Sequence, residues 1–153
     1  MDELIRQAKV KALSLLTDMD RTEAQLRAKL RQKGYPQEVI DEAIAYVYSF
    51  GYVNDVQYAR RFVENKKKSK SRYELMGALM QKGLERDMVC RILDECYPSC
   101  EESETLRYLI EKQQFSVENS TQEEKRKLSA RLLRKGFHYE DIQKIIQVSS
   151  WNA

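Results

Sequence analysis

The sequence is short of the residues that most catalytic and disulfide-stabilised proteins rely on. Its 153 residues hold one histidine, three cysteines, one tryptophan, two prolines and five glycines. The cysteines, Cys90, Cys96 and Cys100, fall in a C-x5-C-x3-C spacing. An odd number without a secretory leader argues against a disulfide framework. A zinc site would need different spacing and a distant fourth ligand, so no metal is expected. Cys90 reads as a small packing residue, with Cys96 and Cys100 near a helix end. No Asn-Gly or Asp-Gly pair and no useful period-2 alternation occurs, which removes the usual signals of hairpins and sheets. No apolar run approaches the roughly 18 residues of a membrane span. No basic stretch followed by an apolar one comes after Met1, so a cytoplasmic setting is expected.

Catalytic motifs are missing too. The chain has no glycine-rich phosphate loop, no G-x-S-x-G and no H-E-x-x-H. His138 follows a turn beside Phe137 and Tyr139, with no nucleophile in view, and reads as a surface or packing residue. Asp18 and Asp20, ahead of a helix start, are accounted for by capping and helix-dipole charge. The expectation is a protein that is not an enzyme and needs no cofactor.

A threefold internal repeat is present. Lys33-Gly34, Lys82-Gly83 and Lys135-Gly136 each close a helical pattern. A leucine stands eight residues before each glycine (Leu26, Leu75, Leu128) and another four before it (Leu30, Leu79, Leu132). Ile40, Val89 and Ile142 follow six residues later, and Ile44, Leu93 and Ile146 four beyond those. Steps of four keep these residues on one face of a helix. Thr22 with Gln25, Ser71 with Glu74, and Thr121 with Glu124 form capping boxes ahead of the leucines. Glycine at the far end supplies the left-handed backbone that stops a helix, and the lysine suits its dipole. Pro36 stands near the first position of the next helix. Amphipathic stretches at Val10–Leu16, Val56–Val63 and Thr105–Ile110 precede the boxes. The fold expectation is all-α: three tandem three-helix repeats, residues 1–55, 56–98 and 99–153, forming an elongated, curved array.

The net charge of +3 is small, but it is unevenly placed. Residues 1–55 carry a net −1, residues 56–96 a net +4 and residues 97–153 zero. The excess lies in Arg60, Arg61, Lys66, Lys67, Lys68, Lys70 and Arg72, with Lys82 further along. Such a strip reads either as a contact for phosphates or an acidic protein surface, or as a solvated inter-helix loop. Tyr46, Tyr48, Phe50, Tyr52, Tyr58 and Phe62 cluster where the first repeat meets the second. They could stack bases, but their helical spacing beside aliphatic residues favours a core seam. Trp151 stands near the end.

The segment Gly51-Tyr-Val-Asn-Asp-Val-Gln-Tyr-Ala-Arg-Arg-Phe-Val63, with Leu75 and Leu79-Met-Gln-Lys-Gly-Leu84, resembles the signature of the bacterial RecX regulatory family. The Thr22–Gly34 segment fits it as well, and the resemblance runs from about residue 8 to 147. Asn54 departs from it, standing where the family usually has an acidic residue, and Ser71 stands where glycine is common. The resemblance implies a modulator of the RecA recombinase. Such a protein lies in the helical groove of the RecA filament on single-stranded DNA and mainly inhibits its ATPase, strand-exchange and coprotease activities, in DNA repair and the SOS response. It makes Arg60, Arg61, Lys66, Lys67, Lys68, Lys70, Arg72 and Lys82 candidate contacts to RecA or, weakly, to DNA. A different class of reading is a helical nucleic-acid-binding protein that acts without RecA, with steeply salt-dependent affinity. No heptad seam or leftover apolar stripe is visible, so a monomer is expected.

Overall fold

A computed structural model describes residues 1–147 of the chain. Among them the regular elements are nine helices: α1 (Asp2–Asp18), α2 (Glu23–Gln32), α3 (Gln37–Ser49), α4 (Asp55–Lys66), α5 (Arg72–Gln81), α6 (Arg86–Cys96), α7 (Ser99–Lys112), α8 (Gln122–Arg134) and α9 (Tyr139–Ile146). The fold is all-α, built on three-helix repeats. Trp151 lies outside the described residues.

The leucine–isoleucine pattern is what the helices bury. Each of the twelve repeat positions, from Leu26 to Ile146, is almost wholly removed from solvent. The Lys-Gly ends form the stop that the sequence suggests. The Gly34 N–H donates to the Arg31 carbonyl and the Tyr35 N–H to the Leu30 carbonyl, with Gly34 at a φ of +90°. The same two bonds recur around Gly83 (Met80, Leu79) and Gly136 (Leu133, Leu132). This double bond pattern satisfies the last carbonyls of a helix and needs a left-handed residue between its donors.

The starts are less uniform. Thr22 and Ser71 both complete their capping boxes, each side chain serving the other's backbone. At Thr121 the hydroxyl accepts from the Glu124 N–H, and the reciprocal bond is absent among the described residues. α8 spans 13 residues where α2 and α5 span 10, so its cap stands one turn further from Leu128. Pro36 is the N-cap of α3 rather than a residue inside it. Asp18 ends α1, and Asp20 caps no helix: its carboxylate lies 2.6 Å from the Arg61 guanidinium.

The chain forms two compact units: Met1–Arg61 with Leu79–Val89, and Phe62–Ala78 with the chain from Cys90 on. The division passes through α4, α5 and α6, so the middle repeat contributes to both. In the first unit, Ala8, Ala12 and Leu15 of α1 pack with Leu26 and Leu30 of α2 and with Val39, Ile40, Ala43, Ile44 and Val47 of α3. The alanines leave no bulk between helix backbones, which lets α1 lie close to its neighbours. In the second unit, Leu106 and Ile110 of α7 meet Leu128 and Leu132 of α8, Phe137, and Ile142 and Ile146 of α9.

The aromatic cluster expected as a core seam is only partly drawn into packing: Tyr46 lies against the core of the first unit, whereas Tyr48, Phe50 and Tyr52 stay at the surface. Tyr48, Phe50 and Tyr52 are 51–59% exposed, and Tyr46, Tyr58 and Phe62 are only partly buried. The face of α3 that enters the core is aliphatic and is complete at Val47. Tyr48 falls off that face, and Phe50 and Tyr52 lie beyond the helix end. Their rings contact one another instead, Tyr46 edge-on to Phe50 at 5.1 Å and Phe50 stacked on Tyr52 at 5.7 Å.

Candidate partner-binding surface

The basic segment divides between the units. Arg60, Arg61 and Lys82 belong to the first. Lys66, Lys67, Lys68, Lys70 and Arg72 belong to the second, where the end of α4, the following loop and the start of α5 bring them together.

The loop over residues 67–71 is fixed by hydrogen bonds along its backbone. The Thr105 hydroxyl donates to the Lys67 carbonyl at 2.8 Å, and the Tyr97 hydroxyl to the Lys70 carbonyl at 2.7 Å. The Ser71 N–H is held by Glu74, and the Arg72 N–H by Glu102 at 2.7 Å. The Ser71 hydroxyl donates to the Lys135 carbonyl. Tyr97 and Glu102 are buried. Burial disfavours the charged phenolate and pushes Tyr97 up to about 12, so it stays a hydrogen-bond donor. A loop whose carbonyls and N–H groups are claimed in this way presents its side chains from a fixed backbone.

The cations of this segment are of two kinds. Lys67 is turned inward: its ammonium donates to Glu101 at 2.7 Å and to the Cys96 carbonyl at 3.0 Å, and lies 3.2 Å from Glu64. The Glu101 bond and the nearby carboxylates raise its pKa. Arg72 pairs with Asp94 at 2.6 Å, and Arg61 with Asp20. Lys66, Lys68 and Lys70 are exposed. Lys66 lies over the Phe62 ring at 5.5 Å, which keeps its charge while fixing its direction. Lys68 and Lys70 have no ion pair among the described residues. Lys68 borders an open cleft of about 400 Å³ lined also by Lys67, Glu101, Glu104, Thr105 and Tyr108.

In the first unit Arg60 is exposed, and the Lys82 carbonyl accepts the Thr22 hydroxyl at 2.6 Å. Asn54 keeps the capping role that an acidic residue would have, accepting from the Gln57 N–H at 3.1 Å. Sequence reading passes over Tyr97, Glu101, Glu102 and Thr105, the residues that hold the basic loop. Glu101 and Glu102 show in the sequence only as two acidic residues in the first turn of a helix, which the helix dipole alone explains, and Thr105 only as the start of an amphipathic stretch. Among the described residues no group of acidic, cysteine or histidine side chains could hold a metal ion, and no helix is long and apolar enough to cross a membrane.

Two family models match the chain: the first three-helix domain of RecX over residues 8–46 and its third three-helix domain over residues 101–146. The regulatory protein RecX of Caldanaerobacter subterraneus is 35% identical over 94% of this chain and 71% of its own length. The chain belongs to the RecX family of regulatory proteins. The RecX of Clostridium perfringens is 30% identical over 95% of the chain and 69% of its own length. The crystal structure of RecX from Lactobacillus salivarius superimposes with a TM-score of 0.82 at 27% identity, covering 96% of this chain and 97% of that one. The segment matched by the first RecX domain thus runs from within α1 to within α3, and that matched by the third from within α7 to the end of α9.

Proposed function

We propose that the protein is a non-enzymatic regulator of RecA, acting in the cytoplasm, that binds the RecA filament on single-stranded DNA, in its helical groove, and mainly inhibits its ATPase, strand-exchange and coprotease activities. Membership of the RecX family over nearly the whole chain carries this reading. The exposed Lys66 at the end of α4, with Lys68 and Lys70 on the following loop of fixed backbone, supports it, because a filament with bound DNA offers acidic protein surface and phosphate together. Binding that favours one filament state over another is sufficient for inhibition. The middle repeat, residues 56–98 between repeats 1–55 and 99–153, is the part we assign to this contact.

The test is the single-stranded-DNA-dependent ATPase of the cognate RecA, titrated with this protein on DNA already saturated with RecA. The expected result is a fall in rate at substoichiometric amounts, weakening as salt rises. The variant with Lys66, Lys68 and Lys70 all changed to Glu is expected to need at least tenfold more protein, with an unchanged helical circular dichroism spectrum. Inhibition that sets in only when the protein displaces RecA from bare DNA would replace this reading with direct nucleic-acid binding.

A further inference from the structure

The repeats are joined by a contact that the chain uses twice. The N-cap hydroxyl of one repeat's second helix accepts from its own helix and donates its proton to the lysine carbonyl of the next repeat's Lys-Gly end. Thr22 does this to Lys82 within the first unit, and Ser71 to Lys135 within the second. Both hydroxyl residues are 0% exposed. The glycine beside each lysine is covered by the residue two after the cap. A Cβ on Gly83 would collide with Ala24, and one on Gly136 with Tyr73. The second joint adds an ion pair, Lys135 with Glu74 at 3.8 Å, between the lysine and the residue three after the cap.

Each half of this joint is left over once. Gly34 has the same left-handed backbone as Gly83, and nothing lies within 4 Å of where its Cβ would stand. Lys33 is exposed, and its carbonyl accepts no bond among the described residues. Thr121, the third cap, is exposed with Glu123 and Glu124, and among the described residues its hydroxyl has no acceptor. The longer α8 carries this cap one turn outward. The two ends also differ in charge. Lys29 and Arg31 stand in the last turn of α2 beside Lys33, and Glu123 and Glu124 in the first turn of α8.

We propose that the Lys33-Gly34 end of one copy docks on the Thr121–Glu124 end of another, repeating between chains the joint made twice within the chain. In it the Thr121 hydroxyl donates to the Lys33 carbonyl, Glu123 covers Gly34, and Lys33 pairs with Glu124 as Lys135 pairs with Glu74. The contact is head-to-tail and uses a different surface on each copy, so it is open-ended. One helix end on another buries less than the roughly 1,200–2,000 Å² of a stable interface. The association is therefore weak in dilute solution and counts where copies are held in a row.

The experiment is sedimentation equilibrium of the full chain at low salt, from tens of micromolar to about 1 mM. The expected weight-average mass rises with concentration and passes the dimer without a plateau. Lys33→Glu and Glu124→Lys each place like charges together, and each is expected to weaken association at least tenfold. The double variant and the equimolar mixture of the two single variants both restore opposite charges and are expected to recover it. A wild-type mass that stays at the monomer value at 1 mM would overturn the proposal. So would a dimer plateau insensitive to both reversals, or single-variant losses that neither combination repairs.

Discussion

Three hydroxyl residues cap the second helix of the three repeats, and they do not do the same work. Thr22 and Ser71 are buried, complete their capping boxes and pass a hydrogen bond to the following repeat. Thr121 is exposed and caps its own helix alone. The local signal, a hydroxyl three residues ahead of Gln or Glu, is the same in each copy. What differs is whether a Lys-Gly end lies beyond it. A capping residue that meets a following Lys-Gly end is thus also a joint, and one that meets none among the described residues is only a cap.

The comparison is sharpest in stability. Ser71→Ala removes the cap, leaves the Lys135 carbonyl without its donor and breaks the box with Glu74. Cap loss costs about 0.5–2 kcal/mol and an unsatisfied buried carbonyl about 1–3 kcal/mol, so the expected loss is about 2–4 kcal/mol. Thr22→Ala is expected to fall in the same range. Thr121→Ala loses only a solvent-exposed cap, about 0.5–1 kcal/mol. Urea unfolding of the three variants, read by circular dichroism, orders them. Equal losses at all three sites would show that the onward hydrogen bonds contribute nothing.

The asymmetry of these caps also marks the limit of what the sequence conveys. The twelve repeat positions, the Lys-Gly stops and the three helix starts are local patterns, and local patterns set helices. They locate the core correctly because a face with period 3.6 has only one way to be buried. Aromatic spacing misleads for the converse reason. Tyr48, Phe50 and Tyr52 look like core residues by composition, but the aliphatic face of α3 already fills that role and only Tyr46 packs at its edge. The basic strip is visible as charge, and its division into tied and projecting cations is not. That division depends on Glu101 and Asp94, distant in sequence from the lysine and arginine they meet.

A second contrast lies between Tyr97 and the exposed tyrosines of the first unit. Tyr97 is buried, donates to the Lys70 carbonyl and has a pKa raised from 10.0 to about 12. A raised pKa in the folded state means that the native protein holds the proton where the unfolded chain has lost it. Its contribution is complete below pH 10 and is lost as pH rises from 10 through 12. The size is about 2 kcal/mol, from about 1.4 kcal/mol per pKa unit with some discount for relaxation. Tyr97→Phe is expected to be less stable than wild type at pH 8 by about 1 kcal/mol for the lost hydrogen bond. It is also expected to lose less stability between pH 9.5 and 11.5. Parallel pH profiles would mean that the phenol titrates as it does in water.

The smallest expected effect separates adjacent lysines. Lys67 and Lys68 are neighbours of one type, one 17% exposed in its side chain and joined to two carboxylates and a carbonyl, the other projecting into solvent. Lys67→Met keeps the aliphatic stem but leaves Glu101 and Glu64, both still reached by water, without their cation. The expected cost is about 1 kcal/mol, between the value of an exposed pair and that of a buried one. Lys68→Met is expected to leave stability unchanged within about 0.5 kcal/mol. The RecA ATPase should reverse the order, Lys68→Met weakening inhibition about two- to threefold, as loss of one charge among three screened ones would. Lys67→Met should leave inhibition intact at temperatures where it is folded. Only a surface whose cations are divided between holding the loop and meeting the partner gives opposite rankings in the two measurements. A strip that is merely solvated would show the stability difference and no difference in inhibition.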